Sequence, residues 1–244
     1  ETFKASEARL VYEALAPRRV KGFAEAVPMF RPTGERQVAP RRQTEIIGRL
    51  AELEAISNRL QMVLREQRSS LLVLEGEAGI GKSRILTEAI RRAKGLDVRV
   101  VLCEAMGIER DTPYYAWRSA LRDLLQIEDG ASRDEMRARV AAVLNPKPRF
   151  AALAPLLNAL LPVDLADTPQ TLEMQGEVRA NNTRLLVEEL VRDAARASPL
   201  MLVVEDAHWM DSASWSLVAA IGREVDPLSM LLATRPFAQP PQEY

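Results

Sequence analysis

A lysine and a serine close a glycine-rich run near residue 80. Residues 76–83 read Gly-Glu-Ala-Gly-Ile-Gly-Lys-Ser. Glycine permits backbone conformations that a Cβ forbids, so the glycines at 76, 79 and 81 are expected to let successive N–H groups turn inward around an anion. The Lys82 ammonium is expected to reach the β- and γ-phosphates, and the Ser83 hydroxyl to ligate Mg²⁺. This spacing is the P-loop pattern, and it predicts a bound nucleoside triphosphate.

The residues on either side of the glycine-rich run support this interpretation. Leu71–Leu74 form a short apolar strand, and the apolar residues after Ser83 recur at helical spacing. The helix starting near Lys82 would point the positive end of its dipole at the phosphates. A glycine-rich turn that matched by chance would lack this strand–loop–helix context. The expected nucleotide contacts are Gly76, Glu77, Ala78, Gly79, Ile80, Gly81, Lys82, Ser83 and Arg84.

Two acids follow a second apolar run, Met201–Val204. Parallel α/β sheets place ligands at the carboxyl ends of their strands, which is where Glu205 and Asp206 stand. By position Glu205 is expected to hold Mg²⁺ and Asp206 to orient the attacking water. The alternative is that such acids cap a helix or pair with arginine. Because Asp more commonly precedes Glu, the division of roles between the two stays open.

Four residues that follow these acids in the sequence are further candidates for functional or structural roles. Arg235 follows the apolar run Met230–Thr234 and could contact the γ-phosphate, the alternative being a surface arginine. Asp211 precedes Ser-Ala-Ser and is expected to cap a helix. His208, the only histidine in the chain, fits either a structural or a sensing role. Trp209 is expected to pack.

Two segments before and after the P-loop permit alternative interpretations. At Ile47-Gly48-Arg49 a small glycine turn would let backbone groups approach a purine, whereas Arg49 could instead form an exposed ion pair. Residues 112–118 interleave aromatics with a base, which could stack on single-stranded nucleic acid. We favour the first turns of a helix, with Tyr114 and Trp117 packed inward.

The order of the elements predicts the fold class. Strands at 70–75, Asp97–Cys103, Met201–Glu205 and Met230–Thr234 alternate with helical patterns, which predicts an α/β fold with a parallel sheet and helices on both faces. One helix is expected at 49–66. The stretch between the second and third strands is far longer than a crossover needs, so a large helical insertion is expected there.

The composition of the chain excludes several classes of protein. The chain has 244 residues, with 33 basic and 34 acidic side chains, so it carries no overall bias toward polyanions. Cys103 is the one cysteine, which excludes an internal disulfide, suits a reducing cytoplasmic compartment and predicts a buried strand thiol. No stretch approaches the roughly 18 apolar residues of a membrane span.

The first 43 residues have a different sequence pattern from the nucleotide-binding domain. Residues 1–32 are too short to bury a core and are expected to be a tail of another domain, with a short helix or strand at Glu7–Leu15. Two short strands hinged at Lys21-Gly22 are expected within residues 19–30. The polar, basic stretch 33–43 is expected to be a linker, and 44–244 to form the nucleotide-binding domain. The chain is expected to be a fragment of a larger protein.

These motifs, in this order, resemble one family. Ile47-Gly48-Arg49, GEAGIGKSR, TPYYAWR, LVVEDAHWMD and LLATRP are similar to the STAND-type AAA-related ATPases, over about residues 44–238. The resemblance implies a P-loop NTPase fold and ATP as the ligand. It also implies adenine near Ile47–Arg49 and Arg235 as the residue that senses the γ-phosphate.

The N-terminal stretch resembles the end of a class III nucleotide cyclase domain, through Leu15–Phe30 (LAPRRVKGFAEAVPMF). The resemblance implies an upstream cyclase catalytic domain in the same chain and a downstream helical or repeat domain. The cyclase's metal-binding aspartates are not in this sequence, so no cyclase activity is expected from it. The lid that follows the sensor strand in the family is not in it either, and hydrolysis by this piece alone is expected to be slow.

The leading hypothesis is therefore an ATPase that regulates a linked cyclase, with no membrane association. One alternative is a scaffold that binds nucleotide without hydrolysing it. Another is a nucleic-acid loader of the origin-recognition type, which the balanced charge disfavours.

Overall fold

The computed structural model describes residues 10–18, 27–35, 48–237 and 240–241, and the chain divides into two compact units between Ile47 and Gly48. The first unit contains two antiparallel strands, β1 (Leu10–Arg18) and β2 (Val27–Glu35). The stretch expected as a short helix or strand at Glu7–Leu15 is therefore strand from Leu10 onward. The expected hinge at Lys21-Gly22 lies outside the described residues.

Strand β2 extends further than its sequence suggested. It runs through Glu35, three residues into the stretch expected as linker, because β1 continues to Leu10 and offers its backbone as a partner. Leu10 pairs with Glu35 in this ladder. Backbone pairing does not require apolar side chains, so tertiary context overrides local composition here. Residues 36–43 lie outside the described part of the chain.

The second unit is built on a four-stranded parallel sheet. Its strands are β3 (Ser70–Glu75), β4 (Arg99–Glu104), β5 (Leu200–Glu205) and β6 (Ser229–Thr234), in the order β3-β6-β5-β4. Every residue of β6, and all of β5 except Glu205, is buried, as expected for apolar runs covered on both faces. The predicted parallel α/β class is confirmed. The second strand starts at Arg99 rather than at Asp97, because Asp97 has a φ of 57° in the turn that leaves the preceding helix.

Helices flank this sheet. In chain order they are α1 (Leu50–Glu66), α2 (Lys82–Lys94), α3 (Trp117–Leu124), α4 (Arg133–Leu144), α5 (Pro148–Ala151), α6 (Pro169–Leu172), α7 (Gly176–Ala197) and α8 (Ser212–Glu224). Short 3₁₀ turns occupy Gly107–Glu109, Ala154–Ala159 and Ala207–Trp209. Helices α3–α7 lie between β4 and β5, so the predicted helical insertion is confirmed. None of the helices within the described residues is long and apolar enough to cross a membrane.

The insertion packs onto the sheet through its aromatic and leucine side chains. Trp117 is fully buried, and Tyr114 is half-buried against the same core, so both pack inward as expected. Helix α3, however, begins at Trp117 and not near Thr112. Tyr114 has a φ of 60°, and its N–H donates to the Asp211 carboxylate at 3.1 Å, so this segment is a turn tied to another part of the chain.

The P-loop helix α2 is held to α1 by one arginine. Arg92 on α2 donates to the Leu53 carbonyl on α1 at 3.1 Å and to the Ser57 hydroxyl at 2.8 Å. Glu88, one turn before Arg92, bonds to both Arg91 and Arg92, and the Arg91 hydrogen bond is the main cause that lowers the pKa of Glu88 to about 2. These contacts hold the C-terminal half of α2 against α1.

Cys103 is completely buried in β4. Burial, reinforced by the adjacent Glu104, raises the pKa of its thiol. The predicted buried strand thiol is therefore confirmed, and this thiol is unsuited to nucleophilic chemistry.

Candidate nucleotide-binding site

The glycine-rich run forms a tight turn between β3 and α2. Gly79 and Gly81 have φ angles of +81° and +101°, and a Cβ at either position would meet no atom within 4 Å. Backbone conformation, rather than crowding, therefore requires glycine at these two positions. Gly76 is different: its φ is not positive, and a Cβ there would lie 3.0 Å from Cγ2 of Ile80. The prediction that all three glycines serve unusual backbone angles is wrong for Gly76, which instead allows a close approach by Ile80.

The start of the loop is anchored to the neighbouring strand. The Gly76 N–H donates to the Thr234 carbonyl at the end of β6, at 3.2 Å. The Lys82 ammonium donates to the Gly76 carbonyl at 2.6 Å and to the Glu77 carbonyl at 3.0 Å. Lys82 therefore lies against the inner side of the loop, where a phosphate group would compete with these carbonyls for its protons.

The first turn of α2 is suited to an anion. It contains no acidic residue, whereas the last turn carries Arg91, Arg92 and Lys94. This distribution complements the helix dipole and leaves its positive N-terminal end uncompensated. Open glycine backbone, a lysine inside the loop and an uncompensated helix N-terminus together fit the phosphates of a nucleotide.

Three carboxylates lie at the carboxyl-terminal edge of the sheet. Glu205 ends β5, and Asp206 follows it with a φ of 53°. Glu104 ends β4 and pairs in register with Glu205 on the neighbouring strand. Burial raises the pKa of Glu104, and the charge of Glu205 raises it further. Glu104 is not among the residues predicted from the sequence, although its place at the end of a strand that precedes a helical insertion is a signal that could have identified it.

Arg235 projects from the end of β6 toward the turn that follows the acids. Its guanidinium carbon lies 5.8 Å from the centre of the Trp209 ring, within the range of a cation–π contact. The Trp209 ring also packs against Gly107, where a Cβ would lie 3.1 Å from the indole. Trp209 thus packs as expected, and it connects the tip of β6 to the segment that leads into the insertion.

Asp211 has the structural role that its sequence predicted. Its carboxylate accepts from the Ser214 N–H at 3.0 Å, which caps α8, and from the Ser214 hydroxyl at 2.6 Å. The same carboxylate accepts the Tyr114 N–H. The predicted helix cap is confirmed, with the additional contact to the turn before α3.

At the start of the second unit, Gly48 and Arg49 both have positive φ angles, of 79° and 61°. Arg49 forms the ion pair considered above, with Glu52 at 2.7 Å. Its guanidinium also donates to the Ile80 carbonyl in the P-loop at 3.3 Å. The structure therefore brings Arg49 beside the loop, while Ile47 lies outside the described residues.

The family model of the AAA ATPase domain matches residues 45–232 of the chain. The match includes the P-loop, Glu104 and both acids after β5. The chain belongs to the AAA ATPase domain family. Membership implies nucleotide binding at the P-loop, and it accounts for the strand–loop–helix geometry observed there.

Relatives of this AAA ATPase domain are distant. An uncharacterized protein of Rhizobium meliloti is 26% identical over 230 residues, covering 89% of this chain and 21% of that protein. Human adenylate cyclase type 10 is 20% identical over 244 residues, covering 94% of this chain and 15% of the cyclase. The rabbit enzyme is 21% identical over 200 residues, covering 80% of this chain and 12% of the rabbit protein. The chain therefore spans 12–21% of the length of these relatives.

A solved structure with a related fold is among the matches of this AAA ATPase domain. It is the Aeropyrum pernix ORC1 protein in complex with DNA, 17% identical, with a TM-score of 0.39, covering 81% of this chain and 42% of that one.

Two candidate magnesium ligands lie in this AAA ATPase domain, Ser83 in the first turn of α2 and Glu205 at the end of β5. No group of three or more His, Cys, Asp or Glu side chains that could hold a metal occurs within the described residues. The hydroxyl of Ser83 and the carboxylate of Glu205 are oxygen donors of the kind that Mg²⁺ binds, and this ion keeps several waters and is completed by substrate phosphates.

Proposed function

We propose that this AAA ATPase domain binds ATP with Mg²⁺, hydrolyses it, and uses the difference between the ATP and ADP states as a regulatory signal. The observation that carries the proposal is the convergence of Lys82, Arg235 and the acids at one edge of the sheet. Lys82 lies inside the P-loop, and the positive charges of Lys82 and Arg235 both act on His208, in the turn just after Asp206. Lys82 at the start of α2 and Arg235 after β6 are thus the two cations that would contact a third phosphate.

Each side chain has a distinct expected task. Lys82 would exchange its two carbonyl partners for phosphate oxygens, and Arg235 would add a charge-assisted hydrogen bond that only a triphosphate can accept. Ser83 and Glu205 would hold Mg²⁺, which supplies charge neutralisation to the phosphates. Asp206 would orient the attacking water and accept its proton.

The same geometry suggests how the nucleotide state could reach the insertion. Arg235 stacks on Trp209, and Trp209 packs on Gly107 at the entrance to the insertion. An Arg235 drawn toward a γ-phosphate would leave the Trp209 ring, and the packing of residues 107–116 would change. A ligand biases two arrangements only through contacts that differ between them, and Arg235 provides such a contact.

We further propose that the domain is a STAND-type module of a cytoplasmic signalling protein, joined to a class III cyclase catalytic domain upstream and to a helical or repeat domain downstream. Two observations support the cyclase link: the resemblance of Leu15–Phe30 to a cyclase tail, and the alignment with human adenylate cyclase type 10 over 94% of the chain. In the full-length protein, a Lys82→Ala change would then alter the rate of cyclic-nucleotide formation without touching the cyclase site.

Replacing Arg235 tests the regulatory part of the proposal. We expect Arg235→Ala to weaken ATP binding by about tenfold, the equivalent of one charge-assisted hydrogen bond, and to leave ADP binding within about twofold. Isothermal titration calorimetry with each nucleotide and Mg²⁺ measures both affinities.

The matched control is Arg139→Ala, which removes an exposed arginine from helix α4 of the insertion. It should change neither affinity. An Arg235→Ala variant that binds ATP as tightly as the parent would remove Arg235 from the triphosphate site.

A further inference from the structure

His208 is buried without a hydrogen-bond partner. Its side chain is 9% exposed, and neither Nδ1 nor Nε2 makes a hydrogen bond. Within the part of the chain that the structure describes, the only other buried side-chain polar atom in this condition is the Ser70 hydroxyl. Leaving a buried imidazole unsatisfied costs free energy, so a group that accepts a hydrogen bond from this ring would be favoured.

The charges around His208 indicate what kind of group could bind to its ring. Burial lowers its pKa, and Arg235 and Lys82 lower it further, against the opposing effect of Asp206. The ring is therefore neutral near pH 7, with one N–H to donate. Lys82 and Arg235 can only donate hydrogen bonds and cannot accept that proton. Asp206 could accept it, but its Oδ1 lies 4.0 Å from Nδ1, beyond hydrogen-bond length.

The position of the turn places this unused donor beside the proposed phosphate site. His208 is in the 3₁₀ turn Ala207–Trp209, directly after Asp206, and its ring lies 4.8 Å from that of Trp209, on which Arg235 stacks. Lys82, Arg235 and the His208 N–H thus share one region, in which Lys82 donates to the Gly76 and Glu77 carbonyls whereas the His208 nitrogens have no acceptor in the described part of the chain. An entering anion would give His208 an acceptor and would compete with the two carbonyls for the protons of Lys82.

We propose that His208 is a ligand of the terminal phosphate of ATP, donating its ring N–H to a γ-phosphoryl oxygen alongside Lys82 and Arg235. This assignment rests on the proposed function of the site. In ADP the γ-phosphoryl oxygens are absent, so the contact distinguishes the two nucleotides. The γ-phosphate of ATP would thus provide the acceptor that the described residues do not provide for His208.

The test replaces the ring while keeping its size. His208→Phe fills the same buried space and removes both nitrogens. Because it deletes two unsatisfied polar atoms, we expect the nucleotide-free protein to melt at the same or a higher temperature. We expect ATP affinity to fall by at least about tenfold, as for a lost hydrogen bond to a charged group, and ADP affinity to stay within about twofold. Differential scanning calorimetry and titration calorimetry measure these quantities on the 244-residue chain.

Two amide variants identify which ring nitrogen of His208 donates the hydrogen bond. They also provide the test if His208→Phe does not fold. His208→Gln carries an N–H near the Nε2 position, and His208→Asn carries one near Nδ1. One of them should recover most of the preference for ATP over ADP. Failure of both to recover it would overturn the hydrogen-bond assignment.

Several outcomes overturn the proposal. Equal losses for ATP and ADP in His208→Phe would make His208 structural, and an unchanged preference for ATP with slower turnover would place it on the attacking water. Failure of the proposed function looks different, because the parent chain would then bind ATP no more tightly than ADP, or would bind neither.

Discussion

A Lys82→Ala chain is expected to lose ATP binding. In the free protein the Lys82 ammonium already lies inside the P-loop, donating to the Gly76 and Glu77 carbonyls. Removing the ammonium deletes the positive charge that the phosphates require. It also deletes the two charge-assisted hydrogen bonds that Lys82 would donate to phosphate oxygens. At the usual strength of such bonds, the dissociation constant should rise by a factor on the order of one hundred or more. Titration calorimetry with ATP and Mg²⁺ measures the change.

Lys94→Ala provides the matched control. Lys94 is the last of the 13 residues of the helix that begins at Lys82, and it is exposed. Its removal should leave ATP affinity unchanged. The hydrogen bonds described for the Lys82 side chain go to two exchangeable loop carbonyls, so the Lys82→Ala chain should also melt within a few degrees of the parent. If the Lys82→Ala chain kept its ATP affinity, the nucleotide would not be held by this loop.

The second large effect is expected at the acids after β5. Asp206→Asn keeps the size of the side chain and removes its ability to accept a proton. We expect ATP hydrolysis to fall at least about a hundredfold, the usual contribution of a positioned general base, while ATP affinity stays within about threefold. Phosphate release by the full-length protein measures turnover, and titration calorimetry measures affinity.

Two further variants, Glu205→Gln and Glu104→Gln, distinguish the roles of the three carboxylates. Glu205→Gln should also lower turnover, and its ATP affinity should become less sensitive to Mg²⁺. Glu104→Gln should leave turnover within a fewfold of the parent. Equal losses of binding and turnover in Asp206→Asn would contradict its assignment. A full-length parent protein that binds ATP but releases no phosphate would favour the non-hydrolysing scaffold.

Local features of this chain were predictable from sequence. The P-loop, the cap by Asp211 and the buried strand at Met201–Val204 each depend on residues that are close together along the chain. Spacing and residue type therefore determine them directly. The alternation of strands and helices predicted a parallel sheet, but it predicted neither the order of the strands nor their register.

Features that depend on contacts between distant segments were not predictable in this way. Glu104 becomes a site candidate only because β4 pairs with β5 and sets it opposite Glu205. The turn at Tyr114 replaces a predicted helical turn because its N–H bonds to Asp211, 97 residues away. The close approach of Ile80 to Gly76, likewise, follows from how the loop closes. Each requires the register or packing of the folded chain, which residue spacing does not encode.

The central claim is that the triphosphate, and not nucleotide binding in general, changes the packing around Trp209. Hydrogen–deuterium exchange on the protein with a nonhydrolysable ATP analogue, with ADP and without nucleotide tests it most directly. We predict that the ATP analogue alone changes amide exchange in residues 107–116 and 207–211, whereas both nucleotides protect residues 76–84. Identical exchange in the ATP-analogue and ADP states at 107–116 and 207–211 would contradict the account.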